Sequence, residues 1–381
     1  MKTVAIMTSP VFHQTKELNG EDRTIWGGAE RYLLTLCALL QKMGVQVTLY
    51  QQLMPGVQNG KPALPRGRIE KTWMGVPVVL MPVAENVRTR QGMFPNFNAQ
   101  FNELAGAADL RIYFVTSMAY PQVLRPCISI SHGIYWDAPT GDTQEDGPAR
   151  VEWLARMRES FLAADVCVAV DHNVKNVVRA MFTGVESAIQ VIPNFVDTKI
   201  FNGFSRPSKT RERPVVLFPR RFTSVRGCND FVQASMEIED ADFVACGQAN
   251  TADMETALGH IPTIRYQWTT PEKMPDVYTD SDVALIPTKG AEGLSLSLLE
   301  AMACMVPIVT TMNGGLGDAV IPGYNALTYD PDHERCTEAI RRLLDDKTLA
   351  ARLVKRSLDV AHTFDVSVWE ERWTRLLKRF L

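Results

Sequence analysis

The chain has 381 residues, about twice a typical domain, so two hydrophobic cores are expected rather than one. Its 46% hydrophobic and 22% charged residues are ordinary for a globular protein, and a formal net charge of −3 argues against a general nucleic-acid binder. No apolar run reaches the roughly 18 residues needed to span a bilayer, and residues 4–7 are too short for a signal-peptide core, which points to the cytoplasm.

Short apolar, β-branched runs alternate with helical patterns along the chain, the signature of parallel sheets covered by helices. In chain order, TVAIM (3–7), VQVTLY (45–50), VPVVLM (76–81), DLRIYF (109–114), CISIS (127–131), DVCVAV (165–170) and IQVIP (189–193) read as a first set of strands. PVVLFP (214–219), DFVACG (242–247), TIRYQ (263–267), DVALIP (282–287), PIVTT (307–311) and NALTYD (325–330) read as a second. Residues 201–214, FNGFSRPSKTRERP, are polar, hold Gly and Pro and show no sustained period, which makes them the linker candidate by composition. Beyond about residue 333 the pattern is helical, and 366–381 sets Val368, Trp369, Trp373, Leu376, Leu377 and Phe380 near one face. No repeat or low-complexity tract interrupts this order. The expected architecture is two doubly wound α/β lobes and a terminal helix.

In open α/β sheets, ligands bind beyond the carboxyl ends of the strands, so the loops there are the places to search. After the first strand, WGGAERYLLTLCALLQKMG puts Gly27 and Gly28 just before a helix whose Tyr32, Leu33, Leu36, Leu39 and Leu40 make an apolar stripe. Exposed backbone N–H groups there suit an anion, although a plain tight turn reads the same way. SHGIYWD (131–137) follows CISIS, and His132 at a strand's end can bond a hydroxyl, respond to charge near neutral pH, or be a satisfied loop histidine. FPRRFTSVRG (218–227) opens the second lobe with Arg221 and Arg226, either a guanidinium pair for a phosphate or solvated charges. Asp240-Ala241-Asp242 and Asp280-Ser281-Asp282 imitate a DxD metal motif, yet each second Asp begins a strand, which favours turn roles. The seven cysteines (Cys37, Cys127, Cys167, Cys228, Cys246, Cys304 and Cys336) lack ligand spacing and read as reduced core residues.

The stretch GAEGLSLSLLEAMA (290–303) carries Glu292 and Glu300 with an expected helix start near Ser295 between them. Glu300 then lies about 7.5 Å along the helix axis from that start. The helix start offers unpaired N–H groups and a dipole favourable to an anion, with Arg221 and Arg226 offsetting the two carboxylates. This constellation reads as a diphosphate with a hydroxyl-rich group at each end. A glycosidase acid and nucleophile pair is the competing use, but it leaves the phosphate-like loops of both lobes unexplained.

WGGAERYLLTLCALLQKMGVQVTLY, SHG, VIPNFVD (191–197), FPRRFTSVRG and EGLSLSLLEAMACMVPIVTTMNGG, in this order and spacing, resemble the retaining nucleotide-sugar glycosyltransferases of the GT-B fold, specifically the GT4-type family. The resemblance implies Rossmann-like lobes facing a central cleft: an acceptor-side domain at 1–195, a nucleotide-sugar domain at 196–365, and a helix at 366–381 crossing back to the first lobe. It implies that Glu292 binds donor-sugar hydroxyls, Glu300 the ribose, and Arg221 with Arg226 the diphosphate. Gly293, Leu294, Ser295 and Leu296 would present backbone groups to the donor. Gly27 and Gly28 would close from the first lobe, His132 would meet the sugar near its reacting carbon, and the segment Tyr266, Gln267 and Trp268 would recognise the base, mostly through backbone. The sequence departs from the family pattern in Arg226 for Lys, Phe195 for Gly in the NGVD turn, Met305 for Gly, and Asp318 for Glu.

The resulting expectation is transfer of a sugar, from a UDP-sugar in the first instance, to a saccharide, lipid-linked or other hydroxyl acceptor, without metal or other cofactor. No side chain stands out as a covalent nucleophile, which fits a front-face reaction with retention. A catalytically silent nucleotide-sugar binder and a sugar-nucleotide epimerase are the alternatives. Arg66, Arg68, Lys71, Trp73, Arg88 and Arg90 are either a basic, partly aromatic rim for a phosphate-bearing acceptor with peripheral contact to the inner face of a membrane, or solvated loop residues.

Overall fold

The computed structural model describes all residues except 14–22, 25–26, 54–55, 59–60, 64–68, 83–89, 135–147, 186–188, 206–210, 248–259 and 291. Side chains are also left undescribed at 12–13, 23–24, 53, 56–58, 61–63, 69, 90–94, 148–150 and 205.

The first sheet has eight strands in the order Ile189–Val191, Val166–Ala169, Cys127–Ser131, Leu110–Tyr113, Thr3–Thr8, Gln46–Leu53, Val76–Pro82 and Ile69–Trp73. All neighbours are parallel except the last pair, an antiparallel hairpin closed by Met74 and Gly75. Both turn residues have positive φ, 48° and 82°, as a two-residue hairpin turn of the primed type requires. That edge strand is absent from the sequence reading because a Met occupies a turn position normally taken by Asn or Gly. It also corrects the reading of Trp73, which is buried in the first-lobe core and is no part of a rim. Arg66, Arg68, Arg88 and the side chain of Arg90 lie outside the described residues.

The second sheet is wholly parallel, in the order Ile264–Gln267, Asp242–Cys246, Val215–Phe218, Val283–Ile286, Ile308–Thr310 and Leu327–Thr328. Numbered along the chain this is the 3-2-1-4-5-6 order of a dinucleotide-binding fold, with a topological switch between Val215–Phe218 and Val283–Ile286. Successive residues of a strand face opposite sides, and here both sides are covered. Val215 and Leu217 pack into one cluster, with Leu298, Leu299 and Met302 of the helix Leu296–Ala303. Val216 and Phe218 pack into the other, with Phe231 and Ile340.

The chain changes lobes between two adjacent residues. Phe195 is buried in the first-lobe cluster and Val196 in the second, as the alternation of extended backbone permits. Phe201 is already in the second-lobe core, so 201–214 is not the crossing, contrary to its composition. Composition detects polar loops, whereas this crossing is made of core residues. Val196 bonds Phe364 and Val366 through its backbone, at 2.9 Å each, so the outward and return crossings run side by side.

The return leads into the helix Val366–Leu377, capped by Asp365, whose side chain accepts from the Ser367 N–H. Trp369, Trp373, Leu376 and Leu377 bury in the first-lobe cluster. Trp373 donates its indole N–H to the Tyr32 hydroxyl at 2.9 Å, and Trp369 packs on Phe195 with ring centres 4.7 Å apart and planes tilted by 47°. Phe195, where the resembling family has Gly, is thus half of an aromatic contact that pins the returning helix. Met305, the other bulky replacement for Gly, follows the helix Leu296–Ala303 with φ of 56°, the left-handed conformation in which glycine commonly ends a helix. All seven cysteines are free and buried, and no described helix is long and apolar enough to cross a membrane.

Trp373 is fully buried, so Trp373→Ala leaves a large cavity and should destabilise the protein by about 3–5 kcal/mol. Chemical denaturation followed by first-lobe tryptophan fluorescence checks this.

Candidate active site

The switch point of the second sheet aligns two loops at the carboxyl ends of their strands. One, after Val215–Phe218, carries Arg220 and Arg221 and passes through a short turn at Ser224–Arg226. Gly227, at φ 72°, then starts the helix Cys228–Glu237, and a Cβ there would lie 2.6 Å from Pro287 of the other loop. The other loop, after Val283–Ile286, carries Glu292 and ends at Ser295, the residue that begins the helix Leu296–Ala303. The expected helix start between the two glutamates is where the structure has it.

Glu292 sits between two guanidiniums. Arg226 donates from Nε at 2.6 Å, and the buried Arg220 donates from Nη2 to the other carboxylate oxygen. Burial by itself would raise the pKa of Glu292, but the charges of Arg220 and Arg226 overcome that and hold it at about 2. Burial in turn lowers the value of Arg220, and the Glu292 charge opposes that. Each charge is therefore tolerated because of the other. Arg220 further donates to Thr288 Oγ1 at 2.8 Å and to the Pro287 carbonyl.

Glu300 is reached from two sides: Tyr278 donates its hydroxyl to Oε2 at 2.8 Å, and Arg31 of the first lobe pairs with Oε1. Beside this, Arg221 faces Glu30 of the first lobe at 3.6 Å. Burial raises the value of Glu30, with the Arg221 charge opposing. Glu30 and Arg31 both lie in the first turn of the helix Gly28–Lys42, which Gly27 starts. A Cβ at 27 would lie 2.5 Å from the Arg221 guanidinium and 2.6 Å from the Glu30 carboxylate, so a larger residue there would push this ion pair aside.

The lobes also touch through backbone. The Gly293 N–H bonds the His132 carbonyl at 3.2 Å, and Gly133 bridges to Glu292. A Cβ at 293 would lie 2.6 Å from that carbonyl oxygen. The Asn194 side-chain amide donates to the Leu294 carbonyl at 2.5 Å. The His132 ring bonds the Phe114 carbonyl through Nε2 at 2.9 Å and stands edge-on to Tyr32. Because a carbonyl only accepts, Nε2 carries the proton and Nδ1 is left as an acceptor. Burial pushes His132 down to about 4 despite the Phe114 bond, so it is neutral at pH 7 and does not respond to charge near neutrality as one sequence reading had it.

These groups line one cavity of about 510 Å³ between the lobes. Of the residues proposed from sequence, Gly27, Gly28, His132, Arg221, Arg226, Trp268, Glu292, Gly293, Leu294, Ser295, Leu296 and Glu300 all line it. Trp268 is half exposed on its wall. Tyr266 and Gln267 are not among its lining residues: the Tyr266 hydroxyl donates to the Gly247 carbonyl at 2.8 Å, and the Gln267 amide reaches Thr269. Asp318 is also elsewhere, bonded to the ring and backbone N–H of His172 at 2.9 Å. Both DxD imitations are structural. Arg213 binds Asp242 at 2.8 Å, Arg211 binds Asp280 at 2.7 Å, and Asp282 accepts from the Val215 N–H at 2.9 Å. Among the described residues, no group of His, Cys, Asp or Glu is arranged to hold a metal.

Sequence reasoning missed Arg220, Glu30, Arg31 and Asn194. Arg220 left a trace, a charge two residues beyond a wholly apolar strand. Glu30 and Arg31 lay inside the quoted GGAER, but nothing local indicates that their partners come from the other lobe.

Residues 26–200 match the family described as Glycosyltransferase Family 4, and residues 202–359 match Glycosyl transferases group 1. D-inositol 3-phosphate glycosyltransferase 1 of Catenulispora acidiphila is 24% identical over 98% of this chain and 94% of its own length. A sucrose-phosphate synthase from Thermosynechococcus elongatus superposes with a TM-score of 0.76 at 17% identity, over 100% of this chain and 99% of its own. Anabaena HepE, solved with UDP and glucose, does so with a TM-score of 0.71 at 14% identity, over 99% of each chain. The chain belongs to the group 1, GT4-type glycosyltransferases and has the GT-B fold.

Glu292 has an ordinary value of 4.5 and is held at about 2, so its stabilisation is fully present above pH 4.5 and is lost as the pH falls through 2. That difference corresponds to ~3 kcal/mol. Glu292→Gln should therefore cost about 3 kcal/mol or more at pH 7, because Arg220 stays buried without its counter-charge, and should remove this acid dependence. Denaturant unfolding of both proteins from pH 7 to pH 2 measures it.

Proposed function

We propose that this glycosyltransferase moves a sugar from a nucleotide diphosphate sugar, UDP-linked in the first instance, to a hydroxyl acceptor with retention of configuration and without a metal. The observation that carries the reading is the cavity wall: three arginines and a helix start meet at one sheet switch point, with a carboxylate on either side of that start. A diphosphate suits the arginines and the free N–H groups of the helix, and the hydroxyl-rich ends of the donor suit Glu292 and Glu300. The UDP bound by HepE, a structural neighbour, supports a uridine donor. The relative named for D-inositol 3-phosphate supports a phosphorylated polyol, or another hydroxyl compound of that kind, as acceptor.

In this reading the bond between the anomeric carbon and the phosphate oxygen breaks first, giving an oxocarbenium-like sugar. The acceptor oxygen attacks from the same face, and its proton passes to the departing phosphate oxygen. Arg221 and Arg226 stabilise the charge growing on that diphosphate, which is a preorganised electrostatic role. Glu292 orients sugar hydroxyls and remains ionised, held so by its two guanidiniums. His132, neutral and carrying its proton on Nε2, offers Nδ1 as an acceptor to a sugar hydroxyl. Cation charge from arginine takes the place a divalent metal would otherwise hold.

Ligand-dependent thermal shift with UDP-, GDP- and ADP-sugars should single out the UDP series, since binding to the folded state alone raises apparent stability. Transfer should persist in EDTA and give the donor's anomer by NMR. Arg226→Ala should lower kcat by ~100-fold or more. Unchanged transfer in both Arg226→Ala and Glu292→Ala, with the true substrates, would sink the assignment.

A further inference from the structure

The donor pocket of the second lobe is already occupied by the first lobe. Arg31 lies in the helix Gly28–Lys42, yet its guanidinium reaches across the cleft to Glu300 Oε1 and rests over the Phe201 ring at 5.1 Å. The other oxygen, Oε2, accepts from the buried Tyr278 hydroxyl. Between these two donors the Glu300 side chain is only 4% exposed, while that of Arg31 is 23% exposed. A ribose hydroxyl binding this carboxylate needs an oxygen that faces the cavity, and Arg31 covers Oε1, the oxygen that Tyr278 does not hold. The more exposed partner is the one that can leave: Tyr278 belongs to the second-lobe core, whereas Arg31 faces the cavity.

We infer that Arg31 is a gate over Glu300, standing in for the ribose hydroxyls of the donor and yielding when the nucleotide enters. The inference rests on the donor reading above, in which Glu300 is the ribose clamp. Arg31 holds the carboxylate satisfied while the site is empty, so Glu300 is not left as a buried charge without a partner. It also sets a threshold on donor affinity, because only the fraction of molecules with Arg31 displaced is competent to bind. The pair joins the two lobes, so each donor that enters breaks one lobe-to-lobe contact. The Gly293 to His132 and Asn194 to Leu294 bonds remain to hold the cleft together. Arg31 acts through Glu300 and is a positioning residue.

The test turns on a result that simple electrostatics would not produce, since removing a cation from a site for an anionic ligand ordinarily weakens binding. Dissociation constants for UDP, GDP, ADP and inorganic diphosphate are measured by calorimetry on the wild type, Arg31→Ala, Glu300→Gln and the double variant. Urea midpoints confirm that each is folded, and Arg31→Met, which keeps the bulk over Phe201 but cannot donate to Glu300, serves with the same expected gain if Arg31→Ala does not fold. The gate predicts that Arg31→Ala binds the preferred nucleoside diphosphate about 5- to 10-fold more tightly than wild type. It predicts no such gain for inorganic diphosphate, which has no ribose, and none when Arg31→Ala is made in the Glu300→Gln background. Equal or weaker nucleotide binding by Arg31→Ala overturns the gate and leaves the donor reading standing. An equal gain for inorganic diphosphate also overturns it, because the effect would then not pass through the ribose clamp. A wild type that binds none of the three nucleotides overturns both.

Discussion

One carboxylate between two guanidiniums sets the geometry of the cleft. Arg220 is buried at the end of a strand, and such a charge must have a partner close at hand. Glu292 is that partner, and it arrives from a different loop, so the ion pair locks the two switch-point loops together. Once they are locked, Gly227 packs against Pro287 and the helix at Leu296 starts facing the cavity. Arg226, on the second oxygen of Glu292, is fixed by the same contact. The arginines and the helix start thus form one rigid surface for an anionic ligand, with little reorganisation left to be done when charge develops there.

Clearance between the lobes is the second constraint. Gly27 and Gly293 each lie where a Cβ would run into the opposite lobe, against Arg221 for the first and the His132 carbonyl for the second, while a Cβ at Gly315 would meet the Leu294 backbone of its own lobe and Asp171 of the other. The lobes meet through backbone bonds and the Asn194 amide as well as charge, and the crossing at Phe195 and Val196 lies beside the return at Asp365. The aromatic cluster of Tyr32, Phe195, Trp369 and Trp373 joins the terminal helix to the helix that presents Glu30 and Arg31. Tyr32 also stands against His132, so a segment at the very end of the chain supports the cleft wall at one remove.

Most strands of both sheets were legible because each is a short run rich in apolar, β-branched residues, as burial on both faces favours. The exception, Ile69–Trp73, is an edge strand with three polar residues in a row, Glu70, Lys71 and Thr72, and a Met in its turn, and there the local signal is weak. The apolar stripe of the first long helix was legible for the same reason: Tyr32, Leu33, Leu36, Leu39 and Leu40 recur at helical spacing and are all buried. The linker was misread because polar composition marks a loop, and this chain crosses on Phe195 and Val196. Most of the residues proposed from sequence line the cavity as well, since glycines, arginines and acids beyond strand ends are conspicuous against the apolar runs. Tyr266 and Gln267 were proposed for backbone recognition from the resemblance, and only the fold shows that their side chains bond Gly247 and Thr269.

From the sequence alone came the elements, the two-lobed plan and the set of charged residues available to the cleft, because periodicity and burial are local properties that residue type records. Which charge meets which was settled only by tertiary structure. Glu292 could have been matched with Arg221 on sequence grounds, yet it is held by Arg220 and Arg226, while Arg221 faces Glu30 and Glu300 takes Arg31. Those pairings join residues up to 269 positions apart, and a charge attracts any opposite charge that the fold brings near it. Only the packing of one lobe against the other selects among them.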